Sequence, residues 1–177
     1  MVQIQLTIAQ GGATTIHVAC LLYDLWEDYT YYRQEAESID REKEPLRYKR
    51  LVRAAVHSYF GYFEGVLNSW IAQIDPTLDL EETSFAKKLG VIRQHVANKT
   101  RVPFLNIERA RNIRNTIVHL KPTDKDVYIM ETLLEGRFFR DADDFTNWLN
   151  LASHALKIER HPNVNKILEH VKSGIAR

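Results

Sequence analysis

The chain has 177 residues and 20.7 kDa, with 45% hydrophobic, 27% charged and 10% aromatic residues, enough apolar mass for one core and too much for a disordered chain. Its 7 Gly and 5 Pro exclude collagen-like and low-complexity classes. The formal net charge of +1 conceals a division: nine cations against Glu108 between Ala86 and Lys121 form a +8 block, flanked by Asp24 to Glu44 at −5 and Pro122 to Glu159 at −4.

Such blocks read either as solvated helix faces of opposite sign or as a phosphate-binding stripe, and both hold if some cations pair internally while others face a polyanion. The lone Cys20 excludes an intramolecular disulfide and a Cys-rich zinc site. No leader pattern precedes it, and no apolar run approaches the roughly 18 residues that cross a bilayer. The expectation is a single cytoplasmic domain over residues 1–177, with no membrane contact.

In chain order, Val2, Ile4, Leu6 and Ile8 alternate with polar residues, predicting a short extended arm over 1–12, closed by Gly11 and Gly12. A lone strand must lie on the body, pair with another segment, or pair with a second copy. Helix one is predicted from Thr14 or Thr15 to about Ser38, with Ile16, Ala19, Tyr23 and Trp26 as its apolar positions. Pro45 suits a first helical position, and Val52, Val56, Tyr59, Phe63, Val66 and Trp70 then recur at steps of four and three up to Asp75-Pro76, predicting helix two.

Helix three is predicted over Ser84 to Asn98, capped by Thr83 or Ser84, with Phe85, Leu89, Ile92 and Val96 on one face. Pro103 opens helix four, whose apolar stripe is Ile107, Ala110, Ile113, Ile117 and Leu120, ended by Pro122. A short helix from Thr123-Asp124 through Val127 and Met130 to Leu134, stopped by Gly136, is favoured over a strand at Val127 to Met130. Asp141 caps a further helix through Phe145, Trp148, Leu149 and Ala152 to Leu156, and Pro162 starts a last one through Val164, Ile167, Leu168 and Val171. The predicted fold class is an all-α helical bundle of about five to seven helices with a short N-terminal arm.

Phosphate-cradling glycine loops, the nucleophile elbow and H-E-x-x-H are absent, and no two of the 7 histidines stand at i, i+4, so no metal or cofactor is expected. What remains is the helix-four run Ala110-Arg111-Asn112-Ile113-Arg114-Asn115-Thr116-Ile117-Val118-His119-Leu120. It resembles the motif of the HEPN superfamily, an Arg and a later His separated by four to six intervening residues, commonly with Asn directly after the Arg. Arg114, Asn115 and His119 fit it. The bare Arg-to-His spacing arises by chance, as Arg50 and His57 do here, and the following Asn is what gives the match its specificity. Glu64, in helix two, resembles the acidic or polar residue with which that family braces the motif Arg.

The resemblance implies a HEPN-like bundle acting as a metal-independent endoribonuclease, dimeric, and a toxin or phage-defence component with an antitoxin or nucleotidyltransferase partner. RNA is the implied substrate, with Arg109, Arg111 and Lys121 as further phosphate-binding candidates. The residue types suit the reaction. Attack by a ribose 2′-OH needs a proton acceptor, a donor for the leaving 5′-oxygen and charge stabilisation on the phosphoryl oxygens. Histidine as a residue type titrates near neutrality, which suits His119 to the proton transfers, the Arg114 guanidinium binds phosphate through paired hydrogen bonds, and Asn115, one turn before His119, orients the imidazole or touches the substrate. On an ideal helix Arg114 and His119 lie about 140° and about 7.5 Å apart, so a site combining two copies about a two-fold axis is expected. By the same arithmetic Arg111, Asn115 and His119 share a polar face with Glu108 and Asn112. The rival readings are a catalytically silent HEPN-like module binding nucleic acid, nucleotide or protein, and a structural interaction protein with a chance motif.

Overall fold

The computed structural model describes residues 5–8, 12–97, 107–118 and 131–158. Two short strands come first, β1 (Gln5–Ile8) and β2 (Gly12–Thr15), paired antiparallel with Gln5 opposite Thr15 and Ile8 opposite Gly12. The expected arm over 1–12 is therefore one half of a hairpin: its strand pairs with the segment directly after it, which delays the first helix to Ile16. The remainder is an all-α bundle built from α1 (Ile16–Ser38), α2 (Pro45–Ile74), α3 (Phe85–Ala97), α4 (Ile107–Val118) and α5 (Phe138–Leu156). No helix among the described residues is long and apolar enough to cross a membrane. The predicted helix beginning at Pro162 lies outside the described residues, as does most of the segment expected over Thr123 to Leu134.

The central element is α2. Pro45 stands in its first turn, where a missing N–H costs nothing, and Val52, Val56, Tyr59, Phe63, Val66 and Trp70 are all buried in the core. The bundle's aromatic residues interlock around this helix. Phe63 stacks on Phe145 of α5 with centroids 5.9 Å apart and planes 17° from parallel, and Tyr59 meets Tyr29 of α1 edge-on at 4.9 Å. The Tyr59 hydroxyl donates to the Ala142 carbonyl at 2.9 Å, so the buried phenol is satisfied while joining α2 to α5.

On α1 the side chains of the expected positions Ile16 and Ala19 lie outside the described residues, and the fully buried positions farther along are not the expected ones. Leu22, Tyr29 and Ala36 are buried, whereas Tyr23 is exposed and Trp26 only half-buried. Leu21, Leu22, Tyr23, Leu25 and Trp26 place apolar groups on almost every side of that turn, so spacing alone does not select a face. Packing selects it, because Gly61 and Gly65 open a shallow track on α2 and a Cβ at Gly65 would run into Leu22. Farther along, the Arg33 guanidinium grips Asp143 of α5 with two contacts, one of 3.1 Å from Nη2 to Oδ2, and lies 5.4 Å from the centre of the Phe139 ring. This grip raises the Arg33 pKa further.

Helix α5 begins at Phe138, three residues before the expected cap. Gly136 takes a left-handed φ of 85° that kinks the chain within Leu133–Arg137, and Arg137 at once re-enters the right-handed region. Asp141 is consequently a first-turn residue and not the cap; its carboxylate is committed elsewhere. Before α3, by contrast, the expected cap is present, with Ser84 Oγ accepting from the Lys87 N–H at 3.3 Å.

Candidate functional site

Helix α4 carries the motif. Ala110 and Ile113 of its expected stripe are buried, and Thr116 is buried beside them. Arg111 and Asn115 are exposed and Asn112 is half-buried, in keeping with the expected polar face, while the side chains of Ile107, Glu108 and Ile117 lie outside the described residues. His119, Leu120 and Lys121 also lie outside them. Arg114 falls on the border between the two faces, with 22% of its side chain accessible.

That border position directs Arg114 at α2. Its Nη2 donates to Glu64 Oε2 at 3.2 Å, and its Nη1 approaches Asn115 Oδ1 at 3.5 Å. The other oxygen of the same carboxylate, Glu64 Oε1, accepts from Lys88 Nζ of α3 at 3.1 Å. One carboxylate thus joins three helices, taking a cation on each oxygen. Lys88 is nearly inaccessible, at 5% of its side chain, and Glu64 retains 25%. Arg114 Nε is buried without a hydrogen-bond partner among the described residues, and so is Asn68 Oδ1, one helical turn beyond Glu64 on α2. The cluster holds two cations and one anion, a formal surplus of +1.

Of the remaining sequence candidates, Arg109 donates from Nη2 to Asp141 Oδ2 at 2.6 Å, tying α4 to the first turn of α5 with half of its side chain still accessible. Asp141 is 11% accessible in that pair, so its charge is neutralised by Arg109 in addition to the helix N-terminus. The basic block is therefore divided. Lys88, Arg109 and Arg114 are ion-paired to acids of α2 and α5, Lys87 is exposed, and Lys99, Arg101 and Lys121 fall outside the described residues. Arg50 and His57 are exposed on α2.

Lys88 and Asp141 are the participants that the motif does not name. The signal for Lys88 is in the sequence: it falls inside the stripe Phe85, Leu89, Ile92 and Val96, where a lysine needs a buried counter-charge. Among the described residues no group of three His, Cys, Asp or Glu side chains is placed to hold a metal ion. Comparison with protein-family models, with curated proteins and with solved structures finds no match to this chain.

Proposed function

We propose that the chain is a metal-independent endoribonuclease of HEPN type, a cytoplasmic toxin or phage-defence component that acts as a homodimer. The observation that supports this reading is the position of Arg114, fixed between α2 and α4 by Glu64 within a cluster of surplus positive charge, directly before Asn115 and five residues before His119. In this reading Arg114 stabilises charge on the phosphoryl oxygens, His119 moves the proton of the attacking 2′-OH or of the leaving 5′-oxygen, and Asn115 orients them. Arg111 and Lys121 guide the RNA backbone, with Arg109 a weaker contributor because Asp141 already holds it. An antitoxin or nucleotidyltransferase is the partner expected for such an enzyme.

The test is cleavage of single-stranded RNA by the wild type and by single variants. His119→Ala and Arg114→Ala each lower the rate by about 10² to 10⁴, whereas His57→Ala, the same change outside the motif, leaves it nearly unchanged. EDTA has no effect, and the products end in 2′,3′-cyclic phosphate. Equal cleavage of an all-deoxy strand refutes the mechanism, because that strand lacks the nucleophile.

One observation favours a second reading, a silent nucleic-acid-binding module: Glu64 already occupies the Arg114 guanidinium, as in a purely structural ion pair. RNA binding by a wild type that never cleaves decides for that module.

A further inference from the structure

We propose that Lys88 is a positioning residue whose charge keeps Glu64 paired when Arg114 turns from Glu64 to an RNA phosphate. The inference rests on the functional reading above, and it assigns a role to a side chain outside the motif.

The argument begins with the two oxygens of Glu64. Lys88 Nζ holds Oε1 at 3.1 Å and Arg114 Nη2 holds Oε2 at 3.2 Å. If Glu64 had Arg114 alone, movement of that guanidinium toward substrate would strand a three-quarters-buried carboxylate without a partner, and the pair would resist the exchange. With Lys88 on the second oxygen, the carboxylate stays neutralised and the charge of Arg114 is the surplus that an anion can claim. Lys88 itself is too enclosed to reach a polymer, so its contribution passes through Glu64. The unpartnered Arg114 Nε points the same way, because the resting arrangement leaves part of that guanidinium's donor capacity unused.

Charge bookkeeping supplies the test. The cluster is +1 in the wild type, 0 in Lys88→Met, and +1 again in Lys88→Met/Glu64→Gln. Binding of a fluorescein-labelled, fully 2′-O-methylated oligoribonucleotide, which offers phosphates but no nucleophile, is read by anisotropy beside cleavage of the unmodified strand.

Lys88→Met is expected to weaken binding about tenfold, and the double variant to return to within about threefold of the wild type. Lys87→Met, an equal charge loss on an exposed neighbour, should cost less than Lys88→Met. A double variant no better than Lys88→Met, or equal losses at Lys87 and Lys88, overturns the proposal, as does a wild type that fails to bind the probe. If Lys88→Met does not fold, Glu64→Gln alone carries the test: its +2 cluster must bind more tightly than the wild type, and weaker or equal binding refutes the role. Binding that follows this order without any cleavage of the unmodified strand upholds the charge role and removes the nuclease reading. Cleavage with the order absent does the reverse.

Discussion

Replacing Glu64 with Ala isolates what the three-helix cluster contributes to stability. At contacts of 3.1 Å and 3.2 Å, an effective dielectric of about 20 gives a gross attraction of about 5 kcal/mol for each cation, most of it offset by desolvation. Glu64→Ala removes both attractions and leaves Lys88 and Arg114 without their acid. Stranding a fully buried charge costs about 3–5 kcal/mol, and the accessible fraction of Arg114 lowers the expectation here to about 2–3 kcal/mol. For a chain of this size that corresponds to a fall of about 5–10 °C in Tm. Lys88→Met should differ from the wild type by no more than about 1 kcal/mol, because it leaves a balanced Glu64–Arg114 pair and puts an apolar side chain into an apolar stripe. The double variant Glu64→Ala/Lys88→Met should recover at least about 1 kcal/mol over Glu64→Ala, the sign of direct coupling. Urea unfolding followed by helical circular dichroism gives these differences from the midpoints, provided that the slopes agree. A loss below about 0.5 kcal/mol in Glu64→Ala, or Lys88→Met as damaging as Glu64→Ala, would refute the reasoning.

Gly136→Ala should cost about 2–3 kcal/mol in the same assay, because φ is 85° there and the new methyl meets the Tyr48 hydroxyl; Gly90→Ala, with nothing within 4 Å of its Cβ, should instead gain about 0.5–1 kcal/mol. Burial raises the pKa values of Tyr29 and Tyr48, so their phenols ionise first in the unfolded chain. Stability from these two residues is thus complete below about pH 10 and lost above it; Tyr29→Phe and Tyr48→Phe should flatten the alkaline fall, and an unchanged profile refutes the assignment. Affinity for single-stranded RNA should fall with salt, at a log–log slope no steeper than about −6 even if all nine cations of the block meet phosphates, and an affinity flat between low and physiological salt refutes the stripe. The proposed dimer predicts sedimentation at twice the chain mass at micromolar concentration, and a lone 20.7 kDa species refutes it.

The helices were legible in the sequence wherever two independent signals coincided. For α2 these were Pro45 at the start, six apolar residues at steps of four and three, and Asp75-Pro76 at the end; the helix runs from Pro45 to Ile74. For α3 they were a serine cap and a four-residue stripe. The buried face of α1 was not legible, because consecutive apolar residues give no unique phase and the choice belongs to the glycine track on α2. Nor was the start of α5, where one left-handed glycine and an immediate return to helical angles outweigh a good cap residue. In the site, the pairing of Arg114 with Glu64, 50 residues away, was legible only through the family resemblance, and that of Lys88 not at all: it stands 24 residues from Glu64, a separation that local periodicity does not span.

The overlooked lysine also bears on what the cluster is for. A structural tie between two helices needs one acid and one base, and a neutral pair would satisfy Glu64 with less charge to desolvate. Here the carboxylate carries a second base, enclosed to 5% accessibility, while the first keeps 22% and stands at the edge of a polar helix face. Packing does not require that arrangement, since an apolar side chain at position 88 would continue the stripe of Phe85, Leu89 and Ile92. The arrangement does hold a guanidinium beside an acid that is already neutralised. A cation so placed is fixed in direction yet weakly committed in charge, the condition under which a phosphate can displace a carboxylate from it.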